Sequence, residues 1–262
     1  MNDTNLAVPS FEVFPIAEKN TKYCLCIPIL NEGQRILNQL ERIKAAGIDK
    51  QIDVIICDGK SSDGSTDINK LSSLNVNTLL VKTGPGKLSA QLRMGYYWAL
   101  EQGYEGIVTI DGNGKDSVES IPGFIQKLDE GYDMVQGSRY VPGGNAINTP
   151  WIRHIAVRFL HAPVISLAAG FRYTDTTNGF RGYSRNYLLN AAVQPFRELF
   201  ITYELLAYLS VRAPQLGLRT IEIPVTRAYP KNEKTPTKIS FFRGNFDLLK
   251  ILFNILVKKY NP

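Results

Sequence analysis

Cysteine is scarce in this chain of 262 residues: Cys24, Cys26 and Cys57 are the only three. Each falls inside an apolar, strand-like run. An odd count without framework spacing excludes a disulfide-stapled fold. Cys24 and Cys26 share one strand face, but no third or fourth ligand follows, which excludes a zinc site. All three read as small core residues in a reducing, cytosolic setting. Long hydrophobic runs are missing too: no stretch of about 18 apolar residues occurs, so no membrane-crossing helix is expected. Residues 1–20 lack the basic-then-apolar order of a signal peptide, and none is expected. There is no internal repeat, no low-complexity tract and no nucleic-acid motif. RNA and DNA are therefore not expected partners.

What is present suits a globular enzyme. Hydrophobic residues make up 44% of the chain, enough for a full core, and charged residues 21%. The length fits one large α/β domain with at most a small appendage. A net charge of +6 favours anionic partners such as phosphorylated ligands or lipid headgroups.

Apolar runs at 23–29, 52–57, 76–82 and 106–110 read as strands. Helical spacing follows the first (Ile36, Leu37, Leu40, Ile43) and recurs at 66–74 and 87–102. Ser65 or Thr66 is the expected cap of the helix at 66–74. This alternation covers residues 22–138 and predicts right-handed βαβ units in a mostly parallel sheet. The second half is less regular. It predicts a strand at 134–140, one or two helices at 151–169 broken near Pro163, a helix at 199–212, a strand at 220–225 and a polar loop at 229–236. A final amphipathic helix is expected at 240–259, and residues 1–21 stand apart as an N-terminal extension.

Three strand ends carry chemistry. The second strand runs into Asp58-Gly-Lys-Ser-Ser-Asp63-Gly-Ser65. A carboxylate at the carboxyl end of a parallel strand lies where open α/β sheets bind nucleotides. Asp58 can accept hydrogen bonds from a base N–H or a ribose hydroxyl, and Ser61, Ser62 and Asp63 can cap the next helix. The first strand ends in Pro28-Ile-Leu-Asn31-Glu32. The fourth ends in Asp111-Gly112-Asn113, whose oxygen donors suit Mg²⁺ or Mn²⁺ on a diphosphate. Each alone is also ordinary turn chemistry.

In this order, the three motifs resemble the family 2 glycosyltransferases of the GT-A fold. The second half resembles their polyprenyl-phosphate (dolichyl-phosphate) hexosyltransferase branch. The similar segments are Gly137-Ser-Arg139-Tyr140, Trp151-Ile-Arg153, Asp175-Thr-Thr-Asn-Gly179-Phe-Arg181, Phe200-Ile-Thr-Tyr-Glu204, Glu222-Ile-Pro-Val225 and Thr237-Lys238. The likeness spans about residues 23–240.

The resemblance implies an α/β GT-A domain over 22–240, with a nucleotide-sugar half to about 138 and an acceptor half after it. It implies that Pro28, Asn31, Glu32, Asp58, Lys87 and Gly112 line the nucleotide-sugar pocket, and that Lys238 sits in a loop over the diphosphate. Asp111, with Asn113, would bind the divalent metal. Arg139 and Arg153 would hold the acceptor phosphate, a task suited to a planar fork that grips phosphate oxygens bidentately. Glu204 is the remaining acidic candidate for catalysis, or a helix cap. Two departures stand out. Asn113 replaces the second Asp of the usual metal motif, leaving Asp116 as a possible substitute, and Gly59 replaces the second Asp of the base-binding pair.

The implied reaction is inverting transfer of a sugar from a UDP- or GDP-linked donor to a polyprenyl phosphate, at the cytoplasmic face of a membrane. The protein would be peripheral, relying on amphipathic helices, net charge or a membrane partner subunit; a homo-oligomer built through the C-terminal helix is the alternative to membrane contact there. The helix at 241–259 can lie in a lipid interface or pack on the domain. Two rival readings are a glycosyltransferase with a hydroxyl acceptor and a non-catalytic nucleotide-sugar-binding subunit.

Overall fold

The computed structural model describes residues 6–230 and 241–262, with side chains of the last helix described from Asp247 onward. Lys238, and with it the loop expected over the diphosphate, lies outside the described residues.

The chain enters through β1 (Phe11–Pro15) and then builds the expected alternation. This comprises β2 (Tyr23–Ile29), α1 (Gln34–Ala45), β3 (Asp53–Asp58), α2 (Ile68–Ser73), β4 (Val76–Lys82), α3 (Leu88–Glu101), β5 (Gly106–Thr109) and α4 (Ile121–Asp129). The second half adds β6 (Met134–Ser138), β7 (Asn145–Ile147), α5 (Trp151–Ala156), α6 (Ala162–Ala169), β8 (Arg181–Ser184) and α7 (Arg185–Leu189). It closes with α8 (Glu204–Gln215), β9 (Thr220–Pro224), β10 (Thr226–Ala228) and α9 (Phe241–Leu256).

Eight strands form one sheet in the order β1-β4-β3-β2-β5-β8-β6-β9. Only β1 and β8 run against the rest. Every residue of β2 and β3 is buried, as expected for central parallel strands covered on both faces. One core lies beneath α1 and α4, the other beneath α3, α6, α8 and α9. Cys24, Cys26 and Cys57 are free thiols buried in the second. Because β3, β2 and β5 are neighbours, their three carboxyl ends stand side by side.

Several expectations shift. Residues 11–15, within the stretch read as an extension, pair with β4 as the edge strand of the sheet. Asp67, not Ser65 or Thr66, caps α2, accepting from the amides of Asn69 and Lys70. The helix expected from 199 begins at Glu204, because residues 201 and 202 are held in a turn by that residue's carboxylate.

Residues 151–169 form one continuous helix, without the break predicted at Pro163. Proline clashes with the carbonyl four residues earlier. Here the turn before it, Val157–His161, is a π-helix, and its wider spacing absorbs the misfit. Contrary to expectation, this helix is long and apolar enough to cross a membrane by length and composition. Val157, Ala162, Ile165 and Ala169 are nevertheless buried in the protein. The opposite side is bare, with Trp151 71%, Phe159 74% and Leu167 78% exposed.

Candidate active site

The first two strand tips are sewn together by main-chain geometry. Asn31 adopts a left-handed φ of 51°, which asparagine tolerates. Its amide donates to Ser61 Oγ at 2.8 Å, and its side-chain oxygen accepts from the Ser62 amide at 2.8 Å. The Gly59 amide donates to the Ile29 carbonyl at 2.9 Å. Gln91 of α3 reaches up from below, donating to the carbonyls of Ile29 and Cys57. Glu32 is paired with Arg35 at 3.0 Å, while Pro28 is buried and Lys87 lies exposed at the start of α3.

Asp58 is buried in its own turn. It accepts from the Lys60 amide at 2.7 Å, the Ser61 amide at 2.9 Å and the Ser61 hydroxyl at 2.5 Å. The sequence predicts a carboxylate open to a base; the structure gives one that shapes the loop beneath it. Nearby, burial pushes the Lys82 ammonium below its ordinary range, against the pull of Asp58.

Asp111 is the more open acid, with its side chain 28% exposed. Two glycines seat it. A Cβ on Gly112 would stand 2.5 Å from Ile29 Cγ2, so only glycine lets this loop lie on the end of β2. A Cβ on Gly179 would stand 2.6 Å from Asp111 Oδ1. The other oxygen, Oδ2, accepts from Arg227 Nη2 at 3.0 Å and from Asn113 Nδ2 at 3.4 Å.

Arg227 also binds Asp116, which is fully buried. Burial pushes the Asp116 carboxyl up to about 6, with Asp111 adding to the rise and Arg227 opposing it. Asp116 is therefore occupied by an arginine. Among the described residues no group of three or more His, Cys, Asp or Glu is placed to hold a metal ion. The remaining donors are the partly exposed Asp111 carboxylate and the amide oxygen of Asn113, which also accepts from the Lys115 amide at 3.2 Å. That set still fits Mg²⁺ or Mn²⁺ shared with a diphosphate, since such ions commonly take one or two carboxylates and draw the rest from phosphate and water.

The two arginines expected at the acceptor phosphate differ. Arg139 is buried and grips Asp175 with two bonds, Nε–Oδ2 at 2.6 Å and Nη2–Oδ1 at 2.9 Å. Glu222 in turn accepts from the amides of Thr174 and Asp175. Arg181 caps the carbonyls of Thr176, Asn178 and Leu206. Arg139 thus belongs to an internal framework that fixes the 174–181 loop against Asp111, and it presents no free fork. Arg153 is half-buried, and its only described hydrogen-bond partner is the Tyr229 hydroxyl at 2.7 Å. Glu204 accepts from the amides of Ile201 and Thr202 and from the Thr202 hydroxyl, so its carboxylate is engaged in holding the turn that leads into α8.

Arg227, Lys115 and Tyr229 are absent from the sequence expectations. Arg227 lies two residues beyond the recognised Glu222-Ile-Pro-Val225 segment, and Lys115 two beyond Asn113. Nothing local marks them; the fold brings them together across more than a hundred residues.

The profile of the family described as Glycosyl transferase family 2 matches residues 24–190. The chain belongs to that family. This glycosyltransferase is 27% identical over 203 residues to polyprenol monophosphomannose synthase of Mycolicibacterium smegmatis, covering 76% of this chain and 75% of that protein. It is 29% identical to undecaprenyl-phosphate mannosyltransferase of Micrococcus luteus, covering 76% and 81%. It is 26% identical to undecaprenyl-phosphate 4-deoxy-4-formamido-L-arabinose transferase of Proteus mirabilis, covering 91% and 68%. Among solved structures it superposes on glucosyl-3-phosphoglycerate synthase of Mycobacterium tuberculosis in complex with UDP. The TM-score is 0.64 at 14% identity, over 90% of this chain and 80% of that one. A structure of the same synthase with Mn²⁺, UDP and glucosyl-3-phosphoglycerate gives a TM-score of 0.57 at 15% identity, covering 90% and 78%. The shared architecture is the GT-A fold. The three relatives are named for a polyprenol or for undecaprenyl phosphate.

Proposed function

We propose that this glycosyltransferase moves a sugar from a nucleoside-diphosphate donor onto a polyprenyl phosphate at the cytoplasmic face of a membrane. The observation that carries this is the position of Arg153. It lies two residues from Trp151 on the bare apolar helix, yet it reaches Tyr229, whose ring also faces Arg227, the partner of Asp111. A phosphate held there would lay its lipid chain along Trp151, Ile152 and Ile155, which are exposed. The curated relatives are named for different sugars, but each name with a stated acceptor specifies a prenol or its phosphate.

The donor's base and ribose would sit on the stitched tips of β2 and β3, lined by Pro28, Asn31, Glu32 and the Asp58 turn. Asp111 and Asn113 would hold Mg²⁺ or Mn²⁺ against the diphosphate, and the ion's contribution is charge neutralisation of the leaving group. The acceptor phosphate is anionic at neutral pH and needs little help from a base. One of its oxygens bonds to the anomeric carbon as the bond from that carbon to the diphosphate breaks, with inversion. Positioning and electrostatics therefore carry the rate, which agrees with the Glu204 carboxylate being engaged by the 201–202 turn.

Membrane contact would use the bare side of α5 and α6 together with α9, which packs against α6. Ile251, Leu252 and Ile255 of α9 are buried, whereas Leu249, Phe253 and Val257 are exposed and Lys258 and Lys259 follow. This helix thus packs on the domain with one side and leaves an apolar side for lipid.

The test is transfer of label from a panel of UDP- and GDP-sugars, with Mg²⁺ or Mn²⁺, to undecaprenyl phosphate in detergent. Label in the organic phase is the expected outcome and names the donor. Release of nucleoside diphosphate without lipid labelling would replace this acceptor with a hydroxyl one, and absence of turnover across all donors would favour the binding-subunit reading.

A further inference from the structure

Tyr229 is buried and ringed by cations. Lys115 Nζ lies 5.1 Å from its ring centre, Arg153 Cζ 5.6 Å and Arg227 Cζ 5.8 Å. Backbone bonds bring this about: the Ala228 amide donates to the Lys115 carbonyl at 2.9 Å, and residues 116 and 227 form an isolated bridge. The Asn148 side chain ties the approach to α5 to the Tyr229 carbonyl at 3.0 Å.

The three cations are not equivalent. Arg227 is neutralised by Asp111 and Asp116. Among the described residues, Lys115 and Arg153 have no carboxylate partner. Both rest on an aromatic face, which steadies a cation while leaving its N–H donors free. Like charges gathered in a half-buried place repel one another, and an anion between them relieves this. A further donor stands close by. Tyr140 packs edge-on against His154, the neighbour of Arg153, and its buried hydroxyl has no partner among the described residues.

We propose that Lys115 and Arg153, held in place by Tyr229, form the subsite for the acceptor's phosphate monoester, with Lys115 in the part first expected of Arg139. This rests on the proposed lipid-phosphate acceptor. Lys115 and Arg153 touch the substrate; Tyr229 is a positioning residue that fixes the Arg153 fork through its hydroxyl and both cations through its ring.

Binding isotherms for geranyl phosphate, inorganic phosphate, UDP and GDP, taken on the full chain and on Lys115→Gln, Lys115→Arg and Tyr229→Phe, test this. Lys115→Gln is expected to weaken geranyl phosphate at least tenfold and to leave the bound nucleoside diphosphate within twofold, with Lys115→Arg restoring most of the loss. Tyr229→Phe is expected to weaken geranyl phosphate several-fold with an unchanged circular dichroism spectrum. Loss of nucleotide affinity with geranyl phosphate unchanged would overturn the proposal by assigning Lys115 to the donor. Equal affinities in Lys115→Gln and wild type would overturn it outright. If wild type binds inorganic phosphate through Lys115 but rejects geranyl phosphate, the anion subsite stands and the lipid acceptor falls.

Discussion

Asp58 and Asp111 stand at the ends of the two strands that flank β2 in one sheet, but they are held by opposite means. Asp58 is satisfied within three residues, by the amides and hydroxyl of its own turn. Asp111 is held by Arg227, 116 residues away, and rests on Gly179 from a third segment. The first site is made by local sequence and will persist wherever the strand forms. The second exists only when the segments carrying Gly179 and Arg227 have packed against the end of β5. The Asp58 tip is therefore set locally, whereas the Asp111 carboxylate is set by distant segments.

Substitutions can break this contrast. Asp111→Ala removes the open carboxylate and is expected to lower turnover by about a thousandfold, on the scale of losing a principal electrostatic group; label transfer measures it. Activity near wild type would remove Asp111 from the chemistry. Arg227→Met leaves Asp116 buried and unpaired, at a cost of about 3–5 kcal/mol in stability. Denaturant unfolding would show this, and adding Asp116→Asn should recover most of the loss. Gly179→Ala inserts a methyl against the Asp111 carboxylate, which is flexible enough to yield. A loss of about a hundredfold in kcat is expected, as for a misplacement near 1 Å, with Tm almost unchanged. If Tm fell sharply instead, Gly179 would serve packing rather than placement. The smallest effect is expected at the locally set tip. Asp58→Ala removes charge-assisted bonds worth about 1.5–3 kcal/mol each before the loop relaxes. It should loosen the 58–62 turn and weaken donor nucleotide binding roughly tenfold, without altering acceptor affinity.

The same contrast explains what could be read from the chain. The alternation of β2 to β5 with their helices was legible because apolar spacing is a local signal, and so were the three strand tips in their order. The second half was recognisable by its segments but not by its wiring. Arg139 looks like a phosphate ligand until Asp175, 36 residues later, takes its fork. Glu204 looks catalytic until it folds back on Thr202. No spacing rule marks Lys115 or Tyr229, which meet only through the packed sheet. The unbroken helix over Pro163 needed a π turn, whose wider pitch leaves no mark on apolar periodicity.

In the proposed reaction the sugar is joined to a phosphate, not to a hydroxyl. ³¹P and ¹H spectra of the purified lipid product distinguish the two linkages. The expected result is a phosphodiester signal coupled to the sugar's anomeric proton, with the anomeric configuration inverted relative to the donor. An intact phosphate monoester beside a new sugar–hydroxyl linkage would contradict it.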